Sequence, residues 1–218
     1  MQKLTLPKKA IIFDMDGVLF DTEQFYYDRR KTFLDSKGIS IGHLPPAYFI
    51  GGNMKQVWQA ILGEDYANWD VSALQADYTA YKAQHPLPYQ ELLFPDVPAS
   101  LQALKTAGFT IGLASSSTME DIELALEVTG LGDYFAFALS GDAFPESKPH
   151  PAIYEAAVAQ TGFAKEEVLV VEDSSKGIQA AVSAGLEVLA IADQRFGMDQ
   201  SKATGLIASV KDLLALVG

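Results

Sequence analysis

The chain has 218 residues, 49% of them hydrophobic and 20% charged, enough for one sizeable core with a modest insertion and too apolar for global disorder. Its 28 acidic residues outnumber the 16 Lys and Arg, and the net charge of −12 repels nucleic-acid phosphates, so no nucleic-acid partner is expected. Cysteine is absent, which excludes disulfides, thiolate nucleophiles and thiolate metal sites.

The opening MQKLTLPKKA lacks the apolar stretch of a secretory signal, and later apolar runs fall well short of the roughly 18 residues that span a bilayer. A soluble, cytoplasmic protein with no membrane partner is expected. Residues 10–13 (AIIF) then read as a buried parallel strand that stops at Asp14. Residues 21–94 hold no comparable β-branched run and read as helices over 22–36, 53–62 and 72–84, each closed by glycine or a His-Pro step. After Phe94-Pro95 come helix 98–107, strand 109–114 (FTIGLA), helix 119–129, helix 151–161, strand 168–171 (VLVV), helix 175–184 and strand 188–192 (VLAIA). This alternation predicts an α/β fold with a doubly wound parallel sheet. Residues 1–20 and 95–218 would form the core domain and 21–94 an inserted helical domain, hinged near Phe20 and Phe94.

Open parallel sheets bind ligands beyond the carboxyl ends of their strands. There this chain sets Asp14 after AIIF, Ser115 after FTIGLA and Glu172-Asp173 after VLVV, with Lys148 in the loop SKPHP. Carboxylates crowded at one mouth repel one another unless a cation joins them, and oxygen donors without cysteine point to Mg²⁺. Lys148 adds a point charge suited to a phosphoryl group, and Ser115 a hydroxyl donor. Such a site suits phosphoryl transfer through an aspartate, with Asp16 placed to carry the proton. Singly, each feature has an ordinary reading: Asp16-Gly17 as a turn, residues 115–117 as a helix cap, Lys148 as a loop lysine. His43, His85 and His150 show no metal-ligand spacing and read as structural.

Four strings in order, FDMDGVLFDTE (13–23), LASSS (113–117), SKPHP (147–151) and VVEDSSKGIQAA (170–181), closely resemble the motifs of the haloacid dehalogenase-like (HAD) hydrolase superfamily. The branch resembled carries a helical cap after the first strand and includes the beta-phosphoglucomutases and phosphoglycolate phosphatases. The resemblance implies a Rossmann-like core with Asp14 as nucleophile and Asp16 as general acid and base. It implies Ser115, Ser116 and Lys148 as phosphate binders, and Mg²⁺ held by Asp14, the Asp16 carbonyl, Asp173 and Glu172. In such families the first cap helix and the glycine-bearing cap loop read the leaving group, so Tyr26, Asn53 and Lys55 are the expected substrate contacts. Where beta-phosphoglucomutase carries a His and an Arg in the cap, this chain has Tyr26 and Met54, which favours a Mg²⁺-dependent phosphatase of a small phosphorylated metabolite. A phosphosugar mutase and a non-catalytic phosphometabolite-binding protein are the alternatives; a monomer or weak homodimer is expected.

Overall fold

A computed structural model describes residue 4, residues 7–51 and residues 57–217. The strands β1 (Ala10–Phe13), β2 (Thr110–Ser115), β3 (Phe137–Ser140), β4 (Val168–Glu172), β5 (Glu187–Ile191) and β6 (Gly205–Ile207) pair in parallel in one sheet of order β3-β2-β1-β4-β5-β6. Helices α1 (Glu23–Ser36), α2 (Trp58–Leu62), α3 (Val71–Gln84) and the short α4 (Tyr89–Leu92) come between β1 and β2, followed before that strand by α5 (Val97–Thr106). Later come α6 (Met119–Thr129), α7 (Ala152–Thr161), α8 (Ser175–Ser183) and the terminal turn α9 (Leu214–Val217). Among the described residues no helix is long and apolar enough to cross a membrane.

Strand side chains alternate between faces, and the sheet is buried on both. Ile11, Phe13, Leu113 and Val171 pack with Leu101 and Leu104 of α5 and Ile122 of α6. Ala10, Ile12, Val168 and Val170 pack on the other side against Ile153 and Tyr154 of α7 and Ile178 of α8. Each fully buried aliphatic side chain contributes about 1.5–3 kcal/mol by leaving water. The helix ends follow local chemistry: the Thr118 hydroxyl accepts the Asp121 N–H to start α6, and left-handed Gly130 ends it. β3 and β6 were not expected from the sequence. β3 carries no β-branched residue and β6 has only three residues with Leu206 exposed, so neither shows the apolar run of a central strand.

The helices between β1 and β2 bury a separate cluster, in which Phe33, Leu34, Phe49, Trp58, Ile61, Leu74 and Tyr78 meet. α1 and α3 match the expected helices within a residue, whereas the expected helix over 53–62 is seen as α2 from Trp58, its earlier part lying outside the described residues. The two connections to this helical cap run side by side: the Asp21 N–H donates to Leu92 O at 2.8 Å and the Phe94 N–H to Leu19 O at 3.0 Å. The rings of Phe20 and Tyr89 meet edge-on at 5.3 Å.

Candidate active site

β1 lies where the strand order reverses, between β2 and β4, which is the place an open parallel sheet leaves a crevice at its carboxyl edge. Asp14 leaves β1 there, Ser115 ends β2, and Glu172 ends β4 with Asp173 next. Lys148 enters from the loop before α7. Its Nζ donates to Asp14 Oδ1 at 2.7 Å, Glu172 Oε1 at 2.8 Å and Ala114 O at 3.0 Å. Lys148, Glu172 and Asp173 are each no more than 2% exposed, and Asp14 only 7%.

Charges this deep survive only if compensated. Glu172 is fully engaged: Oε1 accepts from Lys148 and the Tyr154 hydroxyl, and Oε2 from the Asp173 and Ser174 N–H groups and the Ser174 hydroxyl. Burial pushes its pKa up, but Lys148 and these hydrogen bonds outweigh that and leave it lowered. Burial likewise works against the Lys148 ammonium, yet Asp14 and Glu172 hold its pKa well above the ordinary value. Asp14 is pushed up to about 7 by burial, with Glu172 and Asp16 repelling its charge and Lys148 opposing the shift.

Asp173 has no such compensation. Both carboxylate oxygens are buried without a hydrogen-bond partner, and burial, then Glu172, Glu23 and Asp14, drive its pKa well up. One carboxylate oxygen each from Asp14, Glu172 and Asp173 lie within 4.8 Å of one another. An orphaned buried carboxylate beside two others is a donor set for a hard divalent cation, and all-oxygen donors fit Mg²⁺. The backbone is shaped around these acids. At Gly17, with φ +75°, a Cβ would run into the Asp173 carboxylate, and at Gly177 it would run into that of Glu172.

Asp16 sits on the other side of Asp14. Its oxygens accept from Thr22 Oγ1 at 2.7 Å and Ser117 Oγ at 2.8 Å. Burial raises its pKa while the hydroxyls of Thr22, Ser117 and Tyr26 hold the rise back. Asp14, Asp16, Tyr26, Ser116 and Lys148 all line one cavity of about 330 Å³ between the sheet edge and the cap. Ser116 Oγ is buried there without a partner. Ser115 is fully buried and does not line the cavity; its hydroxyl accepts the Ser117 N–H at 3.0 Å and keeps its own proton to donate. Asn53 and Lys55 lie outside the described residues.

The sequence matches the family of haloacid dehalogenase-like hydrolases over residues 11–191. The chain belongs to that family. It is 30% identical over 181 residues to the phosphorylated carbohydrates phosphatase of Thermotoga maritima, covering 82% of each chain. To the phosphoglycolate phosphatase of Aquifex aeolicus it is 27% identical over 179 residues, 81% of each chain. Its fold is that of the beta-phosphoglucomutase of Clostridium difficile, with a TM-score of 0.78 over 94% of this chain and 93% of that one at 24% identity.

In this HAD hydrolase the acids at the sheet edge are held, and the cavity beside them is lined, by residues to which the sequence assigned no role. Thr22 precedes α1, where a hydroxyl ordinarily caps the helix, but it caps nothing and binds Asp16 instead. Ser117 was part of the recognised LASSS string without a role of its own, and Tyr154 is an apolar-face residue of α7 whose hydroxyl reaches Glu172. Glu23 ends the string FDMDGVLFDTE and Arg29 falls on the Phe25–Phe33 stripe of α1; neither was assigned a role in the site, and both are buried at the cavity. Only the descent of the cap onto the sheet edge brings them there.

Proposed function

We propose that this HAD hydrolase is a Mg²⁺-dependent phosphatase of a small phosphorylated metabolite, acting through an aspartyl phosphate on Asp14. The observation that carries the reading is the buried Asp14–Lys148–Glu172 triad beside the unpartnered Asp173. The names of the Thermotoga and Aquifex relatives support a phosphomonoester as substrate.

Asp14 and Asp173, with the Asp16 carbonyl as a further donor, would hold the ion, and Glu172, whose oxygens already accept hydrogen bonds, would ligate it directly or through water. Bound Mg²⁺ supplies positive charge that offsets the repulsion between a carboxylate and the phosphoryl oxygens. Lys148 opposes the burial that disfavours the Asp14 charge, aims that carboxylate, and together with the Ser116 hydroxyl at the cavity holds the phosphoryl group. An Asp14 oxygen attacks phosphorus, the bond to the leaving oxygen breaks, and Asp16 gives that oxygen its proton. Asp16 then takes a proton from water, whose oxygen attacks phosphorus and releases phosphate from Asp14. The cap, residues 21–94, pivots on the paired connections at 19–21 and 92–94 and closes Tyr26 over the site, excluding bulk water.

The test is a panel of phosphorylated sugars, sugar acids and glycolate, with and without Mg²⁺, read by free phosphate and by product identity. Mg²⁺-dependent release of phosphate is expected. Isomerised phosphosugar without free phosphate would replace the reading with a mutase, and tight binding without turnover would replace it with a sensor.

A further inference from the structure

On the phosphatase reading, α1 brings a buried cation to the cavity that holds the proposed nucleophile. Arg29 is 8% exposed and lines the same cavity as Asp14 and Asp16. Its Nη1 donates to His85 O at 2.8 Å, and its guanidinium lies 5.2 Å from the Tyr26 ring centre and 5.7 Å from that of Phe25. Its Nε is buried with no hydrogen-bond partner, and among the described residues no carboxylate lies in ion-pair range of it. Three of the acids that line the cavity have partners of their own. Asp16 accepts from Thr22 and Ser117, Asp121 accepts from Thr118, and Glu23 lies in the field of Arg30.

A buried guanidinium with one carbonyl acceptor and two aromatic rings but no carboxylate beside it is costly, and an anion with oxygens to accept its unused N–H groups removes much of that cost. The neutral polar groups of the cavity make no comparable demand. Gln75 Oε1 already accepts from Trp58 Nε1 at 2.8 Å, and its amide donates to Thr79 at 3.3 Å. We infer that Arg29 receives a second anionic group of the substrate, so that the enzyme acts on phosphomonoesters carrying a carboxylate or a second phosphate rather than on neutral polyol phosphates. Tyr26 lies between the two ends, beside Asp16 and against Arg29. The second anion would therefore sit across the Tyr26 ring from the ester, within the same cavity of about 330 Å³.

The experiment is calorimetric binding, with Mg²⁺ present, of four stable phosphonates that differ at one end: ethylphosphonate, hydroxyethylphosphonate, phosphonopropanoate and ethylene bisphosphonate. The wild-type protein is expected to bind one or both of the doubly anionic probes about tenfold or more tightly than the first two, as a charge-assisted contact warrants. The tighter of the pair names the carboxylate or the phosphate as the natural group. Arg29→Met should erase the preference and Arg29→Lys keep part of it. Equal binding of all four, no binding of any, or an unchanged preference in a folded Arg29→Met overturns the inference; because Arg30 and Lys82 line the same cavity, the partial preference kept by Arg29→Lys assigns it to Arg29, and the wild-type comparison can overturn it even if Arg29→Met does not fold. Because no turnover is involved, failure here leaves Asp14-dependent hydrolysis untouched, and failure of hydrolysis is read separately.

Discussion

Lys148 Nζ lies 2.7 Å from Asp14 Oδ1, a buried pair that joins residues 134 positions apart. The same ammonium holds Glu172 at 2.8 Å, so one positive charge serves two buried carboxylates. Removing one partner of such a set leaves the others uncompensated. Lys148→Met is expected to destabilise the metal-free protein by about 3–5 kcal/mol near neutral pH, and by less at pH 5, where the acids can take up protons instead. Urea unfolding in chelator at the two pH values measures this. An equal or smaller loss at neutral pH would contradict the shared role of Lys148.

The metal-free fold carries acids whose ionisation it opposes, and this fixes the sign of a pH effect. Asp14 rises from 3.8 to about 7 and Asp173 also rises well above 3.8. Their contribution to stability is therefore fully present below 3.8 and is lost as pH climbs, through about 7 for Asp14 and through the raised pKa of Asp173. Glu172, whose pKa is lowered from 4.5, acts in the opposite sense and only at the acid end. Mg²⁺ needs the ionised carboxylates, so its thermal stabilisation should be larger at pH 8 than at pH 5. A shift in melting temperature independent of pH would rule out these acids as the ion's ligands.

Asp16, held by Thr22 and Ser117, matters most when the leaving oxygen is a poor one. Asp16→Ala should lower kcat/KM for alkyl phosphates by roughly 10²- to 10⁴-fold, the span of general acid catalysis, and far less for nitrophenyl phosphate, whose leaving group needs little help. Equal losses on both would show that Asp16 does not protonate the leaving group.

Gly17 faces the Asp173 carboxylate at a φ of +75°. Gly17→Ala adds a methyl group where that carboxylate sits and imposes left-handed strain, expected to cost about 1 kcal/mol or more. Because the displaced group is a proposed Mg²⁺ ligand, Mg²⁺ affinity by titration calorimetry should fall alongside stability. Unaltered affinity would place Asp173 outside the ligand set.

The central strands were legible because strands covered on both faces must be apolar runs, as AIIF and VLVV are, and each stops abruptly at an acid. The residues meeting at the sheet edge followed from those stops and from the four motif strings. β3 and β6 were not legible, since Phe137 is half-buried and Leu206 exposed at or near the sheet margins. Nor were the roles of Thr22, Glu23 and Arg29: the motif string 13–23 and the Phe25–Arg29–Phe33 stripe of α1 mark these positions without showing what each side chain faces once α1 packs on the core. Tyr26 was singled out as a substrate contact and lies in the cavity beside Asp16, a position the spacing of α1 could suggest and only the packing of α1 on the core could supply.

The most direct measurement is acid quenching during Mg²⁺-dependent turnover, followed by mass spectrometry of the tryptic peptide spanning residues 10–29. The expected result is a hydroxylamine-labile phosphoryl adduct on that peptide, absent together with turnover in Asp14→Asn. An Asp14→Asn enzyme that still releases phosphate at the wild-type rate, or an adduct that persists in it, would contradict nucleophilic attack by Asp14.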